Sequence, residues 1–74
     1  MNLKKYRESL KLTKAQMANY LGVHTGTYTQ WENGLRQPGA ATQRLIGVLQ
    51  QIETLYPDFH DTLIEYAKVI EKSV

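Results

Sequence analysis

The stretch LTKAQMANYLGVHTGTYTQWENGLRQP, residues 12–38, holds two short helical patterns on either side of a glycine. Thr13 followed three residues later by Gln16 reads as a capping box. The hydroxyl meets one orphan backbone N–H and the amide reaches back for another. Ala15, Met17, Ala18 and Leu21 then fall on one helical face. Gly22 can take the left-handed backbone that stops a helix without steric penalty. Val23-His24 makes a tight connection. A second short helix is expected from about Thr25 to Asn33, with Tyr28 and Trp31 inward and Asn33-Gly34 closing it. Two short helices about a glycine turn form a helix-turn-helix. In that geometry the first helix braces across a phosphate backbone and the second enters the major groove, which is wide enough for one α-helix. A small inward residue, Ala18, lets the two approach closely.

Working outward, a helix is expected from about Asn2 to Lys11, capped by Asn2, with Leu3, Tyr6 and Leu10 on one face. Pro38-Gly39 opens a helix over about 40–55, whose stripe is read as Ala41, Leu45, Val48, Leu49, Ile52, Leu55 and Tyr56. Pro57 is read as ending it, and Asp58 as capping a last helix to about Lys72. Phe59, Leu63, Tyr66, Ala67, Ile70 and Val74 share a face there, widened by Ile64 and Val69. The expectation is an all-α, five-helix, single domain over residues 1–74, with 58–74 an added C-terminal helix.

A chain of 74 residues buries only about 60% of its unfolded surface, so its core is marginal. It has no cysteine, which excludes disulfide staples and thiolate chemistry. Good helix packing or dimerisation must supply the stability. The lack of cysteine fits a reducing cytoplasm. No apolar run reaches the roughly 18 residues that span a membrane. Met1-Asn2-Leu3-Lys4-Lys5 has no apolar stretch behind it, so no signal peptide is expected. Charge is lopsided. Lys4, Lys5, Arg7, Lys11, Lys14, Arg36 and Arg44 face only Glu8 and Glu32 in residues 1–50. Beyond them, Lys68 and Lys72 face Glu53, Asp58, Asp61, Glu65 and Glu71. A basic front suggests a polyanionic partner for that part alone, although charge runs are commonly just solvated faces.

Leu12-Thr13, Ala18, Leu21-Gly22-Val23, Trp31-Glu32-Asn33-Gly34 and Pro38 stand in the order and spacing of the Cro/repressor-type (XRE) helix-turn-helix family, and residues 12–38 resemble it. The likeness extends over about the first 50 residues and leaves the last helix outside. It implies a repressor-like fold and sequence-specific binding to duplex DNA. By the same resemblance, Thr25, Gly26 and Gln30 match base-reading positions, with Thr27 and Thr29 flanking them. Gln30 stands out because its amide can pair bidentately with adenine. Gly26 departs from the polar residue usual there and offers no side chain to read a base. Lys14, Asn33 and Arg36 match phosphate contacts, and Arg7 with Glu32 a pair tying the first helix to the third. His24 replaces the usual Ser or Thr cap and is read as turn structure.

Plainer readings stand beside these. Gln30 can be merely solvated and Arg36 an ordinary surface cation. Tyr28 and Trp31 fit a core better than a stacking platform. His60 beside Asp61 reads as a solvated pair. Two histidines without cysteine make no metal-ligand cluster, so no metal and no cofactor is expected. No pair of carboxylates stands at catalytic spacing, so no enzyme is expected. The partners expected are an inverted-repeat operator in double-stranded DNA and a second copy of the chain. Phe59, Leu63, Tyr66 and Ile70 are read as covering the first helix, leaving Ile64 and Val69 for that dimer interface. The function expected is a transcriptional repressor or autoregulator. The alternative is an antitoxin that neutralises a protein toxin through the acidic last helix.

Overall fold

The computed structural model describes residues 2–73, and the side chains of residues 2–69. The described residues fold into five helices: α1 (Leu3–Ser9), α2 (Lys14–Leu21), α3 (Thr25–Glu32), α4 (Ala40–Leu55) and α5 (Pro57–Ser73), with no strand among them. Expectations for the side chain of Ile70 and for Val74 lie outside the described residues.

Asn2 caps α1 by accepting from the Lys5 amide at 3.0 Å. The capping box of α2 forms in full: the Gln16 amide donates to Thr13 Oγ1 at 3.1 Å, and Gln16 Oε1 accepts from the Thr13 amide at 2.9 Å. Three helices then end in the same turn, in which one amide reaches back five residues and the preceding one three. In α2 the donors are Val23 to Ala18 and Gly22 to Asn19; in α3 they are Leu35 to Gln30 and Gly34 to Trp31. Gly22 and Gly34 sit at φ +74° and +75°. In α1 the donors are Leu12 to Arg7 and Lys11 to Glu8. There Lys11, not a glycine, takes φ +59°, so α1 stops at Ser9 rather than running to Lys11.

Neither Pro57 as a stop nor Asp58 as a cap holds, since both lie in the first turn of α5. Pro57 is the first residue of α5, not a stop after α4. Its missing N–H costs nothing in a first turn, and the helix break falls one residue earlier, at Tyr56 (φ −135°, ψ 65°).

The core gathers Leu3 of α1, Leu10 and Leu12 of the turn after it, Met17, Ala18 and Leu21 of α2, Tyr28 of α3, and Ile46 and Leu49 of α4. Tyr28, Met17 and Ile46 are its largest fully buried side chains. Trp31 is only half-buried. Its ring meets Tyr28 edge-on, with centroids 6.3 Å apart, and it also lines an open groove of about 450 Å³ with Asn2, Lys4 and Pro38.

Two expectations for the last helices are corrected. On α4 the inward line is Thr42, Ile46, Leu49 and Glu53, not Ala41, Leu45, Val48, Leu55 and Tyr56, which lie exposed. The apolar arc of α4 is wider than its core needs, and a periodicity centred on the whole arc points between its two halves. Helix α5 docks on α2 and α4 rather than covering α1. It does so through His60, Leu63, Ile64 and Ala67, while Phe59 and Tyr66 remain exposed. His60 is therefore not a solvated partner of Asp61. It is 4% exposed, with a ring nitrogen 2.8 Å from the Tyr20 hydroxyl. Asn19 adds a second tie, donating to the Ala67 carbonyl at 3.4 Å.

Candidate nucleic-acid interface

Helix α3 is short and carries few apolar residues, so tertiary packing must hold it. Tyr28 supplies that packing at 0% exposure. On the opposite side the helix is open. Gly26, Gln30 and Asn33 follow one another by four and three positions, which aligns them along one face, and all three are exposed. Thr25 is exposed at the start of the helix. Thr27 and Thr29 are half-buried on the two flanks of that face. Sealed on one side by an aromatic ring and open on the other, α3 offers short polar groups over two turns.

Lys14, the first residue of α2, is exposed. Its charge helps to lower the pKa of Glu32, so the start of the brace helix lies within electrostatic reach of the end of α3. Arg36, in the loop after α3, is exposed too. Both cations therefore stand towards the C-terminal end of α3, where they can meet phosphates flanking a groove. His24 is the N-cap residue of α3 and makes no side-chain capping bond. A Cβ built on Gly26 meets nothing within 4 Å, so the chain's own packing does not require glycine there.

The open face is held in place from behind. Arg7 Nε donates to Glu32 Oε2 at 2.7 Å, and Arg7 Nη1 donates to the Leu12 carbonyl at 3.0 Å. The Tyr28 hydroxyl donates to the same Glu32 oxygen at 2.5 Å. The Glu32 side chain is 4% exposed and that of Arg7 14%. Burial pushes the Glu32 pKa up, but the hydrogen bonds from Arg7 and Tyr28 outweigh it and hold the group below its ordinary 4.5. Burial, and then the hydrogen bond to Glu32, drive the Tyr28 hydroxyl well above its ordinary range. The Arg7–Glu32 pair was legible from the sequence. Tyr28 as its third member was not, although Tyr28 and Glu32 stand four apart on one helix, the spacing at which side chains meet.

The two expected interface residues fall apart. Ile64 is half-buried against this chain's own core, and Val69 is 59% exposed. Five residues apart on a helix, they point about 140° from each other.

Among the described residues no group of three His, Cys, Asp or Glu converges to hold a metal ion, and no helix is long and apolar enough to cross a membrane. A profile of the family described as Helix-turn-helix matches residues 3–46, more than half of the chain. No curated protein and no solved structure matches it.

Proposed function

Since the chain belongs to the Cro/XRE-type helix-turn-helix family of DNA-binding transcription regulators, we propose that it binds an inverted-repeat operator as a homodimer and represses by covering a promoter. The observation that carries the reading is α3 itself: Tyr28 seals its inner side, and Gly26, Gln30 and Asn33 line its open side. Gln30 reads adenine, Thr25 and Thr29 contribute shorter contacts, and Thr27 supports them from the flank. Gly26 lets the helix approach the bases. Lys14, Asn33 and Arg36 fix the register on phosphates. Occupancy then follows the protein's own concentration, as in an autoregulator.

A single reading helix contacts only a few base pairs, which discriminates poorly against a genome of competing sites. Two-fold pairing doubles the readout and sets half-sites about 34 Å apart. The surface that supports pairing is the open half of α4. Ala41, Leu45, Val48, Ile52 and Leu55 are spaced alternately four and three apart, the pattern of a helix–helix seam. Tyr56, Phe59 and Tyr66 lie exposed beyond its end. Leu49, Leu63 and Tyr66 line a small cavity of about 140 Å³ together with Asn19, Tyr20 and Ala67, where α2, α4 and α5 meet. An apolar stripe left open along one helix face is the kind of patch that marks an interaction surface. The seam is almost free of charge: α4 holds only Arg44 and Glu53. In a two-fold contact a residue near the axis meets its own copy, so a charge-free seam suits an identical partner. Val69 lies beside Tyr66 on this side of α5, whereas Ile64 is turned away from it into the chain's own core.

Selection from a randomised duplex library, followed by mobility shift against mixed competitor DNA, tests the reading. The expected result is one inverted-repeat consensus and a single dimeric shift. Selection that yields no consensus, or a half-site bound by a monomer, overturns it. In sedimentation, Val48→Asp/Ile52→Asp should shift a micromolar wild-type dimer to monomer.

A further inference from the structure

The turn that ends α1, α2 and α3 puts an apolar residue at the same position each time: Leu12, Val23 and Leu35. That position ordinarily closes the turn by packing on the helix it follows. Leu12 does so at 3% exposure, and Val23 is half-buried against the core. Leu35 does not. At 74% it is the most exposed large hydrophobic side chain among the described residues. The helix position it should pack on is Gln30, which is polar and itself exposed. The backbone there is pinned: the Leu35 and Arg36 amides donate to the Gln30 carbonyl at 2.9 and 3.3 Å. An apolar side chain is thus held on a fixed turn, between the residue read as pairing with adenine and the cation read as meeting phosphate.

Building on the DNA-binding reading, we infer that Leu35 is a specificity-determining residue that packs on a thymine methyl at the edge of each half-site. Thymine alone presents a methyl group in the major groove. A side chain left three-quarters open to water in its own chain gains apolar cover when it meets the groove. Gln30 and Leu35 then read neighbouring positions by different chemistry, one by paired hydrogen bonds and the other by apolar contact.

The test uses a duplex selected by the wild-type protein from a randomised library, titrated by fluorescence anisotropy. Leu35→Ser should weaken binding roughly fourfold per half-site, the effect of one methyl-sized apolar contact, while Leu35→Met should restore most of it. Replacing one thymine per half-site by deoxyuracil, which lacks only the methyl, should cost the wild type a similar factor and cost Leu35→Ser nothing further. Equal thermal melts confirm that the variants fold. Leu35→Ser binding the selected duplex as tightly as wild type overturns the inference, as does a uracil effect that persists in Leu35→Ser. A Leu35→Ser protein that sediments as a monomer overturns it too, by assigning the residue to the second copy. Should the wild type select no consensus, the DNA-binding reading fails and this inference with it; a consensus that Leu35→Ser selects unchanged removes only Leu35.

Discussion

Replacing Arg7 by methionine should remove about 3 kcal/mol of stability. The guanidinium makes two hydrogen bonds, one to the Glu32 carboxylate at 2.7 Å and one to the Leu12 carbonyl at 3.0 Å. Hydrogen bonds to a charged group contribute roughly 1.5–3 kcal/mol each. Losing one partner of a buried pair costs about 3–5 kcal/mol, because the other charge stays buried. The lower end applies here, since 14% of the Arg7 side chain is open to solvent. A domain of this length holds about 4–11 kcal/mol in total, so the variant is badly weakened but measurable. Glu32→Gln should cost less, about 1–2 kcal/mol: it keeps an acceptor for Tyr28 and leaves a cation that reaches water. The double variant should cost less than the two singles added, by a coupling of about 1.5 kcal/mol. Urea unfolding followed by circular dichroism, with m unchanged across the set, measures all three. The pH arm has a definite sign. Glu32 is depressed below 4.5 in the folded chain, so its stabilisation is present above that range and lost as pH falls through the folded value. Wild type should lose stability below about pH 4.5, and Glu32→Gln should lose less over the same window. An Arg7→Met protein within about 0.5 kcal/mol of wild type, or purely additive singles, would refute the idea that this pair locks α1 to α3.

Tyr28→Ala, at a site with 0% exposure, should cost about 3–5 kcal/mol, and Trp31→Ala clearly less because Trp31 is half-buried; reversed urea midpoints would contradict the packing. Lys11→Gly should add about 0.5–1 kcal/mol, because glycine meets no steric penalty at φ +59°, and an unchanged or lowered melting temperature would count against that strain. Gly26→Ala should raise stability by up to about 1 kcal/mol, there being open space for a Cβ, yet weaken binding to the selected duplex; tighter binding would dispose of the close approach assigned to Gly26. Gln30→Ala should cost about 1–3 kcal/mol and relax one base position, whereas Arg36→Ala should weaken all sequences alike and flatten the salt dependence, and exchanged outcomes in anisotropy titrations would relocate the groove.

The first three helices were readable from the sequence because their ends are written in local chemistry. A Thr–Gln box, a capping Asn and two left-handed glycines act within four or five residues of themselves. The end of α1 escaped notice because a lysine performs the task of a glycine there, and nothing in its side chain announces that. The last two helices stand where expected, but their inward faces differ for a tertiary reason. Their apolar arcs serve two purposes, and periodicity alone does not say which half of an arc meets the chain's own core. Ile46 meets the core while Leu45 and Val48, one and two positions away, face outward. His60 looked like a surface residue until Tyr20 was found opposite it, a relation spanning 40 residues of sequence. Most residues proposed to read DNA were identifiable because they occupy fixed steps after Gly22; Leu35 was not, since only its exposure separates it from Leu12 and Val23.

The charge-poor outer half of α4 bears on how such a protein keeps faithful to itself. Partner choice between similar helices is enforced mainly by repulsion, through charges placed so that the wrong pairing brings like against like. A seam of Leu45, Val48, Ile52 and Leu55 with Arg44 and Glu53 as the only charges on its helix has little with which to refuse a cousin. Under the proposed pairing, two diverged copies in one cell would exchange subunits freely. Each mixed pair would carry two unlike reading helices and fit neither parent's symmetric operator. If the proposed homodimer is the form that binds, duplicates of this chain would have to gain a charge along α4 before their recognition helices could diverge.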